Sequence, residues 1–162
     1  MRDKETRPSR LTKGVFSSTT DLWETPQDFF DKLNDEFHFN LDPCATHENA
    51  KCQKYFTKED NGLSKDWQGY RVFCNPPYGR AIGEWVKKCY EESQKPNTIV
   101  VMLIPARTDT SYFHDYIYHK AEIRFIRGRL KFGKAEQGAP FPSMVVVFTP
   151  PKILVNHLRP LS

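Results

Sequence analysis

Tyr70-Arg71-Val72-Phe73-Cys74-Asn75-Pro76-Pro77-Tyr78 is the stretch on which the fold turns. Its first five residues alternate and are rich in β-formers, whereas Arg80 to Gln94 repeats its apolar residues at helical spacing. Asn75-Pro76-Pro77-Tyr78 therefore ends a strand and opens a helix. Ligands in open α/β sheets collect at the carboxyl ends of strands, so a substrate is expected at this turn.

The four residues suit one kind of chemistry. An amine attached to a nucleobase is a weak nucleophile, because its lone pair is delocalised into the ring. The side-chain oxygen of Asn75 can accept one amino hydrogen, and the Pro76 carbonyl, held by the φ-locked Pro76-Pro77 pair, can accept the other. Two such acceptors favour a pyramidal nitrogen and act on the charge that develops as it attacks an electrophile. Tyr78 is expected to be an exposed ring on which an extruded base stacks, an interaction worth about 1 to 3 kcal/mol per base in single-strand binders.

At this point the residues meet a known pattern. Asn75-Pro76-Pro77-Tyr78 resembles the catalytic motif of S-adenosylmethionine-dependent amino-methyltransferases. In the same order along the chain, Trp23-Glu24-Thr25-Pro26, Leu41-Asp42-Pro43-Cys44-Ala45, Asp60-Asn61-Gly62-Leu63 with Trp67, and Arg127 to Phe132 resemble the phage-type DNA adenine methyltransferase (Dam) family. The resemblance runs from about Asp21 to Phe148. It implies an α/β fold, a single Rossmann-like methyltransferase domain whose mostly parallel central sheet has a reduced strand number. It implies methyl transfer from S-adenosylmethionine to the N6 amine of adenine in DNA, with no metal. Asn75, Pro76, Pro77 and Tyr78 would be catalytic. Trp23, Thr25 and Pro26 would lie against the cofactor, Asp42, Pro43, Cys44 and Ala45 would meet its methionine part, and Asp60 and Asn61 its nucleoside end. One departure stands out: Cys44-Ala45-Thr46-His47 occupies a place where many amino-methyltransferases carry glycines that let the backbone approach the cofactor.

Composition bounds the rest. A chain of 162 residues fits one domain, read here as a basic arm over 1–20, a catalytic domain over 21–150 and a peripheral tail over 151–162. No apolar run approaches the roughly 20 residues of a membrane span, and the charged start lacks a secretory h-region. A cytoplasmic protein of a bacterial host or prophage is expected, monomeric and with no membrane or obligate protein partner. Cys44, Cys52, Cys74 and Cys89 read as reduced core thiols. Cys44, His47 and Cys52 have knuckle-like spacing, but a fourth ligand is not evident, so no metal is expected. The net charge of +4 hints at a polyanionic partner.

Along the chain, Thr25 has the form of an N-cap with Pro26 in the first helical position, followed by a helix whose Phe29, Phe30, Leu33 and Phe37 share one side. Phe37 to Leu41 alternates as a first strand ending at Asp42, and Lys54 to Thr57 reads as a second. Ile99 to Ile104 is a continuous apolar run of the kind seen in central parallel strands. Tyr112 to Ile117 suggests another helix, Ala121 to Ile126 a strand, and Ser143 to Phe148 a last buried strand. Arg127, Arg129 and Lys131 interleave with Phe132 in a turn suited to a nucleic-acid edge, and Arg80 and Arg107 flank the expected cleft. DNA is the expected partner.

Other readings of the same residues stay open at the level of sequence. A glutamine side-chain amide in a protein and the N4 amine of cytosine pose the same delocalisation problem as adenine. A non-catalytic zinc or basic nucleic-acid-binding module is the alternative from a different class.

Overall fold

The computed structural model describes residues 23–151, so the arm expected over 1–20 and all but the first residue of the tail expected over 151–162 lie outside the described residues. Helix α1 (Gln27–Phe37) comes first, followed by strand β1 (Arg71–Cys74), helix α2 (Ile82–Ser93) and strands β2 (Ile99–Pro105), β3 (Glu122–Phe125) and β4 (Ser143–Phe148). The four strands form one sheet in the order β1-β2-β4-β3. Phe73 meets Phe30 of α1 edge-on at 5.1 Å, while its neighbour Cys74 contacts Cys89 of α2. Successive strand residues point to opposite faces, so the two helices cover the sheet from either side. Among the described residues no helix is long and apolar enough to cross a membrane.

The sheet corrects the expectation of a mostly parallel arrangement. Only β1 and β2 pair in parallel; β2 with β4 and β4 with β3 are antiparallel. β1, β2 and β3 nevertheless point the same way, and β4 runs back between β2 and β3. All six residues of β4 are buried. A strand covered on both faces reads as an apolar run whichever way it points, which is why its direction was hidden in the sequence.

The expected first two strands shrink to isolated contacts. α1 continues through Phe37 and ends at His38, whose left-handed backbone (φ 53°) donates its N–H to the Asn34 carbonyl at 2.8 Å. Only Leu41, bridging Val72, and Asp42, bridging Tyr55, keep parallel pairing. Backbone hydrogen bonds from Phe73 to Leu41 (3.0 Å) and from Phe56 to Asp42 (3.0 Å) still extend the sheet past β1. Thr25 does not cap α1, which starts after Pro26 with no side-chain cap. The helix expected near Tyr112 is a single π-type turn, Phe113–Ile117.

At the amino end of the sheet, the segment before β1 is tied to the last turn of α2. Glu92 accepts the Trp67 N–H at 2.6 Å through one oxygen, and Lys88 (3.1 Å) and Lys95 (2.8 Å) through the other. The fully buried Trp67 ring donates its own N–H to the Gly62 carbonyl at 3.0 Å.

Candidate active site

Because β1, β2 and β3 share a direction, the loops after them gather at one edge, and β4 begins from the same edge. Into this edge opens a cavity of about 760 Å³, within the range of roughly 300–1,000 Å³ typical of small-molecule sites. Its walls come from the lead into α1 (Trp23, Thr25), the turn after Leu41 (Asp42, Pro43, Cys44, Ala45 and on to Asn49), Thr57 to Glu59 with Asn61 and Gly62, and the end of β1 with Asn75, Pro76 and Pro77.

Asn75 is held by two acceptors. Its Nδ2 donates to the Trp23 carbonyl and, at 2.8 Å, to the Thr25 hydroxyl oxygen. A carbonyl oxygen can only accept, so the amino end of the amide must face Trp23 and the orientation of Oδ1 is thereby fixed. Oδ1 itself is buried and has no hydrogen-bond partner. Leaving such an acceptor unsatisfied costs about 1–3 kcal/mol, and native proteins rarely tolerate it without a use.

Asp42 lines the same cavity and is 4% exposed. Its carboxylate accepts the N–H groups of Cys44 (3.3 Å) and Lys51 (3.0 Å). Burial nevertheless dominates and pushes its pKa up to about 6. The turn after it has no glycine of its own, and the close approach is supplied from elsewhere: a Cβ on Gly62 would lie 2.1 Å from the Pro43 carbonyl oxygen. The sequence singled out Gly62 only as part of the Asp60-Asn61-Gly62-Leu63 motif. Nothing local in Asn61-Gly62 reveals that its missing side chain makes room for a segment about twenty positions earlier. Thr57, Lys51 and Trp85 also line the cavity and were not singled out as site residues.

Several expected site residues sit elsewhere. Tyr78, expected to be exposed, is 6% exposed; its hydroxyl donates to the Leu103 carbonyl at 3.0 Å, and burial pushes its phenol well above the ordinary value. Its ring lies edge-on to Phe141 (5.6 Å) and Phe132 (6.2 Å), both of which also meet Trp23. Phe132, expected at the nucleic-acid edge, is therefore a buried member of this aromatic cluster. Leu130 and Phe132 turn inward while Arg129 and Lys131 are exposed, so the interleaved pattern splits into an apolar and a basic side. Asp60 is exposed and stands apart from the cavity wall, where its carboxylate accepts the Thr57 N–H (2.9 Å) and hydroxyl (3.0 Å). Those bonds hold it below the usual carboxylate range. Pro26 caps α1 and does not line the cavity. Arg80, Arg107 and Arg127 are exposed in the loops of the same edge, and Arg129 donates to the Ala139 carbonyl at 3.2 Å.

The cysteines are all free. Burial pushes the Cys44 and Cys52 thiols up to about 12, so both are held as neutral thiols at neutral pH. Among the described residues no three His, Cys, Asp or Glu side chains converge as a metal site.

A free amide acceptor on an Asn-Pro-Pro-Tyr turn, beside a cavity large enough for a nucleoside cofactor, is an arrangement that suits an amino-methyltransferase. Known proteins narrow that class. The family described as DNA N-6-adenine-methyltransferase (Dam) matches residues 13–155, and the chain belongs to it. A DNA N-6-adenine-methyltransferase of Haemophilus phage HP1 is 34% identical over 141 residues, covering 82% of this chain and 81% of the phage protein. One from Escherichia phage T1 is 36% identical over 112 residues, covering 68% of this chain and 46% of that protein.

Proposed function

We propose that the chain carries out its family's reaction, transfer of a methyl group to the exocyclic N6 amine of adenine in DNA, with Asn75 and Pro76 gripping the amine. The observation that carries this reading is the buried, unpartnered Oδ1 of Asn75. A buried acceptor that no group of the chain satisfies gains most when a donor arrives, and gains more as that donor becomes positive during reaction. Oδ1 accepts one amino hydrogen and the Pro76 carbonyl the other, and the bonded nitrogen sheds a proton once the methyl has been transferred.

The cofactor of this reading is S-adenosylmethionine, which supplies a methyl group on a positively charged sulfur. The donor set fits it. Asp42 is a buried carboxylate for the cationic amino group of its methionine part, and Pro43, Cys44 and Ala45 shape the turn beside it. Thr57 and Asn61 stand on the adjoining wall for the nucleoside end. Asp60 serves that end indirectly, by holding Thr57 through two hydrogen bonds. Tyr78, packed beneath Phe132 and Phe141, supports the turn that carries Asn75, while Arg80, Arg107, Arg127 and Lys131, exposed in the loops, meet phosphates.

The test offers labelled S-adenosylmethionine with DNA, RNA and protein to the purified chain, then identifies the modified base. Label in N6-methyladenine of DNA is expected. With Asn75→Ala, turnover should be lost while cofactor affinity falls far less, because the reacting amine loses its acceptor whereas the cavity wall loses only the Nδ2 bonds to the Trp23 carbonyl and the Thr25 hydroxyl. Wild-type turnover in that variant, or label found only in protein or cytosine, refutes the reading.

A further inference from the structure

We infer that Thr25 is a positioning residue for this reaction: its hydroxyl oxygen, acting with the Trp23 carbonyl, locks the plane of the Asn75 amide so that Oδ1 stays presented to the incoming amine. The inference rests on the reading of Asn75 given above. A primary amide has two ends of nearly equal size, and rotation about its last bond is broad and soft, so sterics alone do not decide which end faces the substrate. Its hydrogen-bond partners do.

Nδ2 has two hydrogens, and both are engaged here, one by the Trp23 carbonyl and one by Thr25 Oγ1 at 2.8 Å. The carbonyl alone sets which end of the amide faces it, yet with a single partner the amide can still swing about that bond. The second acceptor, in a different direction, removes the swing. Thr25 is well suited to the task. It is 4% exposed, β-branching stiffens its χ1, and a following proline disfavours a helical backbone at its position. Its hydroxyl is also not spent on the helix, since α1 begins without any side-chain cap. The Trp-x-Thr-Pro segment thus has a role beyond lining the cavity.

The experiment compares Thr25→Val, which keeps the shape and removes the acceptor, with Thr25→Ser, which keeps the acceptor; Thr25→Ala supplies a second acceptor-free variant should valine fail to fold. The acceptor-free variant should lose on the order of tenfold in kcat, the size of one lost hydrogen bond, with cofactor Kd and DNA KM within about threefold of the parent. Serine should restore kcat to within about threefold. A merely structural role would instead lower the unfolding midpoint and weaken cofactor binding alongside turnover, and would leave serine impaired. Wild-type kcat without the hydroxyl, or equal losses for valine and serine, overturns the inference. Asn75→Ala run in parallel separates the two ideas. If that variant is inactive while Thr25→Val is not, only the role of Thr25 fails; if Asn75→Ala remains active, the reading of Asn75 itself fails.

Discussion

Glu92, at the amino end of the sheet, and Asn75, at its carboxyl end, both withdraw polar atoms from water, but the fold treats the two differently. Around Glu92 each oxygen is used: one by the Trp67 N–H, the other by Lys88 and Lys95. Burial works against its charge, yet the bonds from Lys95, Trp67 and Lys88 together outweigh it and hold the carboxyl below its ordinary range. Asn75 has its amino end anchored just as firmly, while its oxygen is left with nothing. One end of the sheet is arranged for stability and the other keeps an unmet acceptor in reserve. A group that no part of the chain satisfies is one that a ligand can satisfy.

The contrast can be broken from either end, and the largest effect is expected at Asn75. Asn75→Ala should lower kcat by a factor on the order of 10² to 10³ or more, as loss of a transition-state hydrogen bond does, and lower the unfolding midpoint only modestly, because the two bonds lost from Nδ2 are partly offset by removal of the orphaned oxygen. Steady-state kinetics and thermal unfolding on the same sample check both halves. Glu92→Ala should do the converse: it strands the buried Trp67 N–H, while Lys88 keeps the Lys65 carbonyl and Lys95 keeps Asp66, and should cost about 1–3 kcal/mol in denaturant unfolding. Its kcat at saturating substrates should stay within about twofold of the parent, since Glu92 touches no residue of the cavity wall and reaches it only through Trp67 and Gly62.

Gly62→Ala tests the link between the two ends, because Gly62 offers its carbonyl to Trp67 and its bare Cα to Pro43. Backbone cannot give way as a flexible side chain can, so overpacking of about 1–3 kcal/mol is expected, together with weaker cofactor binding by calorimetry. The smallest effect concerns pH. Asp42 has its folded pKa raised to about 6 from an ordinary value near 3.8, so its neutral form is the one the fold favours. The stability it contributes is full below about 4 and is lost as pH rises through about 6. Cofactor binding should run the other way, tightening as pH rises to about 6 and then levelling, because the ionised carboxylate is what holds a cationic amino group. Affinity that ignores pH over this window would remove Asp42 from that role.

Much of this was legible in the sequence where local rules act alone. The strand–turn–helix unit around Asn75, the apolar run of β2 and the buried β4 all declare themselves through periodicity and β-branched content, and the resemblance carried by the spaced motifs is borne out by the family match. What escaped depends on partners distant in the chain. Phe37 fits a helix face and an alternating strand equally well, and it closes α1 with its ring stacked on Phe39 just beyond the helix end. Tyr78 follows two prolines in what reads as an exposed turn, yet Phe132 and Phe141, more than fifty positions away, cover it. Thr25 has the grammar of a helix cap, but an amide fifty residues on claims its hydroxyl. The direction of β4 leaves no trace in its composition at all.

That reversed strand has an architectural consequence. Had β4 run with its neighbours, the chain leaving β3 would have needed a crossover to the far side of the sheet before entering it. Running backwards, β4 turns residues 126–142 into a span anchored at both ends on the catalytic rim. Phe132, Ala139 and Phe141 pin that span to the core, and its exposed positions between them can change chemistry without disturbing the register of a single strand. The rim of the cavity is thus built within the domain itself, with the core as its frame.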